Sequence, residues 1–195
     1  MSADGEIGLT VFDTTLGGVG IAWRSRAADD PIIAMQLPEG DRGRTRHRLV
    51  AKAGRVSGGP VDAVDDHPPP AVAAAIGAIG DLLAGGSRDL LDIEIDLAAC
   101  SPFERQVYEV TRSILPGTTL TYGQVAERVG QPGAAQAVGR SLGANPIPIV
   151  VPCHRVLGAD GALTGFSAAG GVDTKRRMLL IEGCPQVAPT LFDDL

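Results

Sequence analysis

The most informative segment of the sequence is Asn145-Pro146-Ile147-Pro148-Ile149-Val150-Val151-Pro152-Cys153-His154-Arg155-Val156. Its prolines fix φ and remove backbone donors, so it is no regular central strand. The apolar run before Pro152 crosses a core and ends at a cysteine. A thiolate is a nucleophile, and neighbouring cations lower a thiol pKa. The pattern predicts a candidate nucleophile, Cys153, followed by a proton-transfer group, His154, and a fixed cation, Arg155.

A plainer interpretation of the Cys-His pair stays open at this point. Free cysteine is commonly an inert core residue, and His154 alone can be a satisfied surface side chain. Neighbours on an extended chain point to opposite faces. Cys153 and His154 therefore need a bend or a bridging water to exchange a proton, and the surrounding sequence must decide.

Composition bounds the class of protein. The chain has 195 residues, 44% hydrophobic and 21% charged, which suits one large or two small domains. No segment approaches the roughly 18 apolar residues of a membrane helix, and no signal-peptide pattern opens the chain. We therefore expect a cytoplasmic protein without a membrane partner. The three cysteines and three histidines lack metal-ligand spacing, which predicts no metal site.

The net negative charge of the chain comes entirely from its first half. Residues 1–97 carry 9 Lys and Arg against 15 Asp and Glu, whereas residues 98–195 carry 8 against 8. The second half is thus not repelled by phosphates, and its cations cluster at Lys175-Arg176-Arg177. This balance permits DNA binding without requiring it.

The first half predicts a small sheet with helices. Residues 7–23 indicate two strands around the turn Leu16-Gly17-Gly18-Val19, and residues 31–37 a third. The basic run 42–48 is either a phosphate patch or the solvated face of a short helix. Its acidic surroundings favour the helix. Further segments follow: a loop over 58–70, a helix from Val72 to Leu83 stopped by Gly85-Gly86, and, from strict alternation, a half-buried strand over 91–97.

The second half predicts closely spaced helices. Ser101-Pro102-Phe103-Glu104 and Thr121-Tyr122-Gly123-Gln124 are capping boxes, and the first helix should end at Pro116-Gly117. A third helix begins near Ala134 after a tight turn, which fits a helix-turn-helix or a simple αα-hairpin. The face of this helix is small and neutral, which favours close approach to a minor groove.

A glycine-rich loop follows the cysteine. Residues 157–171 carry Phe166 and Ser167, which can wall a flat pocket by stacking on a ring and bonding its edge. Asp173 is expected to cap the last helix. The tail from Gly183 should be ordered only in part.

Taken together, these residues resemble the O6-alkylguanine-DNA alkyltransferase family. The likeness covers roughly residues 101–183 and rests on Thr121-Tyr122-Gly123-Gln124-Val125-Ala126, residues 134–139, Asn145-Pro146 and Pro152-Cys153-His154-Arg155-Val156. The first hundred residues resemble the family's variable domain in layout only. The implied fold is α+β: a small N-terminal sheet-plus-helix domain, residues 1–97, then a mostly helical, winged helix-turn-helix-like alkyltransferase domain, residues 98–183, and a tail, residues 184–195.

The resemblance implies single-turnover DNA repair without a cofactor. Cys153 would accept the alkyl group, His154 would deprotonate it through a water, and Glu182 would orient His154. Tyr122 would press on a backbone phosphate during nucleotide flipping and help protonate the departing guanine. The implied partner is double-stranded DNA containing O6-alkylguanine, bound by a monomer through the minor groove. The implied contacts to DNA are Tyr122, Ala134, Ala135, Gln136, Gly139 and Arg140, and the implied pocket is Asn145, Pro148, Val156, Phe166 and Ser167.

Two positions depart from the family pattern. Gln136 stands where the family typically has an arginine, and Phe166 where a tyrosine is common. Both changes should weaken DNA affinity or lesion recognition and leave the chemistry in place. Two alternatives follow: a lesion-binding sensor of the same fold, although such sensors replace the cysteine that is retained here, and a cysteine hydrolase built from the Cys, His and Glu.

Overall fold

Three β-rich runs at the start of the chain pair into a sheet. The computed structural model describes residues 6–26, 29–61, 64–65 and 67–187. Strands β1 (Ile7–Thr14), β2 (Gly17–Arg24), β3 (Ile32–Gln36) and β4 (Val64–Asp65) form one sheet in the order β3-β2-β1-β4. Only the β1–β4 pair is parallel. The three predicted strands are confirmed, but the turn between the first two is Thr15-Leu16, because Gly17 and Gly18 already pair with β1.

Two helices cover the two faces of this sheet. Helix α1 (Arg42–Ser57) buries Leu49 and Ala53 against one face, and helix α2 (Pro70–Leu83) packs its apolar side on the other. The basic run therefore begins a helix, as its surroundings favoured. Residues 62, 63 and 66 of the predicted loop 58–70 lie outside the described residues. Between them, β4 pairs with β1.

The strand predicted over residues 91–97 is wrong. Only Ile95 forms a bridge, to Ile32. The carbonyls of Leu90, Leu91 and Ile93 instead converge on Nη2 of Arg112, at 2.9 to 3.1 Å. Because these three carbonyls accept hydrogen bonds from one guanidinium, they do not pair with a neighbouring strand.

The described part of the second half contains four α-helices and a short strand pair. They are α3 (Pro102–Arg112), β5 (Leu120–Thr121), α4 (Tyr122–Arg128), α5 (Ala135–Gly143), β6 (Val156–Leu157) and α6 (Gly171–Ile181). Both predicted capping boxes are present, with Glu104 reaching back to Ser101 and Gln124 to Thr121. The pair β5–β6 is parallel. The expected α+β class is confirmed.

Two local predictions in this half are wrong, and a third concerns a tail that lies largely outside the described residues. Helix α3 ends at Arg112, before the predicted Pro116-Gly117 stop. Gly170 is the N-cap of α6, with φ of 80°, and Asp173 lies in the first turn. Of the predicted tail, Pro185–Val187 form a 3-10 turn, and residues 188–195 lie outside the described residues.

The two halves of the chain share a core. Ile147, Ile149 and Val150 pack in one cluster with residues of β2, β3 and α2. The backbone N–H of Met35 on β3 donates to the carbonyl of Pro146 at 2.8 Å. The sheet of the first half therefore supports the segment that leads to Cys153. No helix within the described part of the chain is long and apolar enough to cross a membrane.

Candidate active site

The segment before the cysteine is a tightly fixed turn. The Asn145 side chain donates to the carbonyl of Val151 at 2.8 Å and accepts from the backbone N–H of Ile147 at 3.0 Å. Ile149 has φ of 78°, the one positive φ at a non-glycine residue within the described ranges. A β-branched residue in that region is strained by about 1–3 kcal/mol and persists only where its surroundings hold it. The strain lies four residues before the candidate nucleophile.

Cys153 begins a 3-10 turn that resolves the geometric objection from the sequence. Residues Cys153–Arg155 form this turn, so the chain bends where an extended chain would point the two side chains apart. Cys153 is a free, partly exposed thiol. Burial raises its pKa, while the Asn145 amide and the charges of Lys175 and Lys52 act in the opposite direction. The resting group is a thiol that needs a base.

His154, by contrast, is fully buried and lies in an ionic cluster. Its Nε2 lies 2.9 Å from Oε1 of Glu182. Both carboxylate oxygens of Glu182 also accept from Arg155, at 2.9 and 2.7 Å, and Nη1 of Arg155 donates to the carbonyl of Ile114 at 2.6 Å. The sequence identified these residues, but gave Arg155 no partner.

The charges in this cluster assign the histidine tautomer. Burial acts to raise the pKa of Glu182, but the bonds and charges of His154 and Arg155 outweigh it and lower the pKa to about 2. Burial lowers the pKa of His154, so the imidazole is neutral at pH 7. An ionised Glu182 can only accept, so Nε2 carries the proton and Nδ1 keeps a free lone pair. Nδ1 is buried and has no hydrogen-bond partner among the described residues. Nδ1 is therefore available to accept a proton.

Tyr122 stands at the junction of the helix-turn-helix and the glycine-rich loop. The Tyr122 ring lies beside Gly139 of α5, so close that a Cβ atom at this glycine would be 3.8 Å from the ring. Its hydroxyl donates to the carbonyl of Thr164 at 3.3 Å. Burial, and then the nearby Cys153, raise the pKa of Tyr122, so it remains a phenol that can donate a proton.

Lys175 has a role that the sequence did not indicate. The sequence placed it in the cationic cluster Lys175-Arg176-Arg177, and the structure shows that it is fully buried. Its Nζ donates to the carbonyls of Val156 at 2.7 Å and Thr164 at 3.1 Å and lies 5.8 Å from the centre of the Tyr122 ring. Burial lowers its pKa to about 8, while the facing Cys153 acts to raise it. Lys175 ties the loop to β6, a function that local sequence could not signal because all three partners come from other elements.

A cavity of about 670 Å³ opens at Cys153. The predicted pocket residues Asn145, Pro148, Phe166 and Ser167 line it, and Ser167 Oγ donates to the carbonyl of Gly143 at 3.2 Å. Val156, the fifth, is fully buried in the core behind the cysteine. Within the described ranges no group of three His, Cys, Asp or Glu side chains could hold a metal ion.

The predicted DNA-contacting residues lie together around α4 and α5. Gln136 and Arg140 are exposed on α5, while Ala134, Ala135 and Gly139 are partly exposed. Helices α4 and α5 pack against each other and against α3. A helix-turn-helix joined to a cavity thiol that is followed by a buried His–Glu pair is typical of a DNA-binding protein with a candidate nucleophilic cysteine.

Comparison with known proteins agrees with this class. The family model for the DNA-binding domain of 6-O-methylguanine DNA methyltransferase matches residues 102–184. A methylated-DNA–protein-cysteine methyltransferase of Mycolicibacterium paratuberculosis is 48% identical over 126 residues, covering 64% of this chain and 74% of the relative. This chain belongs to the methylated-DNA–protein-cysteine methyltransferase family.

Solved structures extend the likeness to the first half. The Mycobacterium tuberculosis OGT in complex with DNA has a TM-score of 0.68 and 31% identity, covering 95% of this chain and 99% of that one. The O6-methylguanine-DNA methyltransferase of Pyrococcus kodakaraensis has a TM-score of 0.65 and 27% identity, covering 91% and 99%. The similarity therefore includes the sheet as well as the helix-turn-helix.

Proposed function

We propose that this chain repairs O6-alkylated guanine in double-stranded DNA by transferring the alkyl group irreversibly to Cys153. The observation that carries this is the arrangement of Cys153 at a cavity, followed on the same turn by a buried histidine whose Nδ1 is free because Glu182 holds Nε2. The retained cysteine and the named relatives do not favour a sensor that binds the lesion without reacting.

In the proposed reaction His154 acts as the base. Nδ1 takes the Cys153 proton through a bridging water, and Glu182 stabilises the imidazolium that forms. The Sγ electron pair then forms a bond to the alkyl carbon as the carbon–O6 bond breaks, and the bonding pair stays with guanine. The Tyr122 phenol donates the proton that makes the departing guanine neutral. A thioether does not revert under these conditions, so each molecule acts once.

The proposed docking uses the minor groove. The small residues of α5 let its backbone approach the narrow groove, and the flipped nucleotide reaches the cavity beside Phe166. Tyr122 could press on the phosphate of the lesion, because its ring on α4 lies beside Gly139 of α5. We further propose that the chain acts as a monomer, with the domain division given above.

The test is intact-protein mass spectrometry after incubation with a duplex containing O6-methylguanine. We expect one added methyl group per protein, mapped to Cys153, and no further addition at excess DNA. An unmodified protein that still retards the lesion duplex would instead favour the sensor.

The role of Tyr122 predicts different effects on two substrates. Tyr122→Ala should slow transfer from a lesion duplex at least roughly tenfold more than transfer from the free base O6-methylguanine, which loses only the proton donor. The reason is that only duplex DNA needs a phosphate pressed during flipping. Single-turnover rates for both substrates measure the difference, with Tyr122→Phe retaining the ring on Gly139. Equal slowing of the two substrates by alanine would contradict a flipping role.

The neutral recognition helix predicts a gain on substitution. Gln136→Arg should tighten binding to the lesion duplex and steepen the salt dependence by about one unit, because it adds a cation at an exposed position of α5. Gln106→Arg adds the same charge at an exposed position of α3 and serves as the control. Titrations at several salt concentrations provide the measurement. If Gln136→Arg gains nothing over the control, another surface already supplies that contact.

A further inference from the structure

One wall of the Cys153 cavity is cationic and comes from the first half of the chain. Arg48, Lys52 and Arg55 on α1 are separated by four and three residues, so they share one helix face. All three line the cavity that also holds Cys153. None of the family motifs in the second half accounts for this wall.

Among the described residues, these three cations differ from Arg42 and Arg44 of the same helix in having no ion pair. Arg42 pairs with Asp13 at 2.7 Å, and Arg44 with Asp41 at 3.3 Å. Within the part of the chain that the structure describes, no carboxylate lies within ion-pair distance of Arg48, Lys52 or Arg55.

Lys52 is the most firmly placed of the three. Its Nζ donates to the Met35 carbonyl at 2.7 Å, so the ammonium is held at the wall while its other N–H bonds remain available. Burial lowers its pKa to about 8, and the facing Cys153 acts to raise it. At pH 7 the group is therefore mainly charged.

The carboxylates on the cavity wall are already engaged. Glu39 accepts from the Gln36 amide at 2.8 Å, and Glu104 accepts from the Ser101 backbone and hydroxyl at 2.8 and 2.7 Å. Neither forms an ion pair with an α1 cation among the described residues, although the charge of Glu39 acts to raise the pKa of Lys52. With three cations against two engaged carboxylates, the cavity wall keeps a net positive charge, which favours an anionic occupant.

The position of the wall indicates which part of a ligand would meet it. The reacting carbon must lie at Cys153 Sγ, and Phe166 and Ser167 provide the surface for the base. A methyl group ends at the sulfur, whereas a longer substituent must extend into the remaining cavity, which α1 also lines and where Lys52 is close enough to Cys153 for their charges to interact. An anion at the end of that substituent would lie among the three cations.

Resting on the proposed function, we infer that the α1 wall is a subsite for O6-alkyl groups that end in a carboxylate, and that Lys52 is its specificity-determining residue. The transfer step is unchanged: Sγ bonds to the methylene carbon, the carbon–O6 bond breaks, guanine leaves with the electron pair and a proton, and Cys153 becomes S-carboxyalkyl cysteine. The carboxylate takes no part in bond making.

The test compares two lesions of equal size and different charge. Single-turnover rates are measured for duplexes containing O6-carboxymethylguanine or its neutral amide, O6-carbamoylmethylguanine, with O6-methylguanine as reference. The charged-to-neutral rate ratio in the wild-type protein is divided by the ratio in Lys52→Met. This double ratio cancels changes in thiolate reactivity and the intrinsic difference between the lesions. We expect a double ratio of roughly five to ten, typical of losing one favourable contact in a cavity.

The controls distinguish a failure of the subsite from a failure of the proposed alkyl transfer. Arg44→Met removes an α1 cation outside the cavity and should leave the charged-to-neutral ratio within about twofold of wild type. A double ratio near one, with methyl transfer intact, would overturn the subsite alone. No adduct from any lesion would overturn the proposed function. Should Lys52→Met fail to fold, Arg48→Met on the same wall gives the deciding ratio, and an unchanged value there rejects the subsite.

Discussion

Cys153→Ala is expected to abolish alkyl transfer while leaving affinity for a lesion duplex within about twofold. In the proposed reaction the Cys153 sulfur is the atom that accepts the alkyl group, and alanine has no atom that can replace it. The proposed DNA contacts lie on α4 and α5, and a shortened side chain in an open cavity does not disturb them. Intact-protein mass and a gel-retardation titration on the same preparations measure both quantities.

Cys100 provides the matched control for this prediction. It is a free thiol that lines the same cavity. Burial, followed by the charge of Glu104, raises its pKa, and unlike Cys153 it has no histidine on its own turn. Cys100→Ala should therefore keep full transfer. An alkyl group found on the Cys153→Ala protein would make Cys100 the acceptor and refute the assignment.

Glu182→Gln is expected to reduce both stability and transfer. It removes the counter-charge of Arg155, which is buried, and breaking one partner of a buried ion pair costs about 3–5 kcal/mol. It also frees His154 to adopt the other tautomer, which should slow transfer on the order of a hundredfold. Glu109→Gln on the exposed face of α3 makes the same chemical change and should alter neither quantity. Urea unfolding and single-turnover rates provide the two measurements.

The pH dependence separates the catalytic effect from the structural one. Raising the pH ionises Cys153 without His154, so the transfer defect of Glu182→Gln should shrink in alkaline solution. A purely structural defect would persist at every pH.

The wild-type protein should lose stability in acid for two reasons. The unfolded chain binds protons at histidine below about pH 6.5, whereas the pKa of buried His154 is lower. The pKa of Glu182 is about 2 in the folded protein and about 4.5 in the unfolded chain. The ionised carboxylate therefore stabilises the fold above about pH 4.5, and this contribution is lost as the pH falls from 4.5 to 2. Glu182→Gln should remove the second loss. Urea midpoints across this range test the assignment.

The sequence predicted the elements whose signals are local. The capping boxes at Ser101 and Thr121 fixed two helix starts, because both halves of each box lie within four residues. The failure at residues 91–97 has a distant cause: Arg112, about twenty residues later, collects the carbonyls that a strand would have used. Alternation of side chains cannot reveal where backbone acceptors go.

The candidate site divides in the same way. Cys153 and His154 were evident from one motif, and Glu182 came only from the family resemblance, since no local pattern links residues 28 apart. Lys175 and Lys52 were missed as site residues because their bonds to Val156, Thr164 and Met35 exist only after folding. Burial converts an ordinary surface residue type into a fixed charge, which composition cannot foresee.

The core shared by the two halves has a consequence for how the protein is made. A ribosome releases the sheet first, and α2 and β3 can fold before residues 147–150 emerge. Those late residues find their apolar partners already assembled, and the Met35–Pro146 bond then fixes the proline-rich turn. The nucleophile therefore becomes competent only as one of the last events of biosynthesis. A nascent chain that stalls before residue 145 does not yet contain the proposed alkyl acceptor or its histidine.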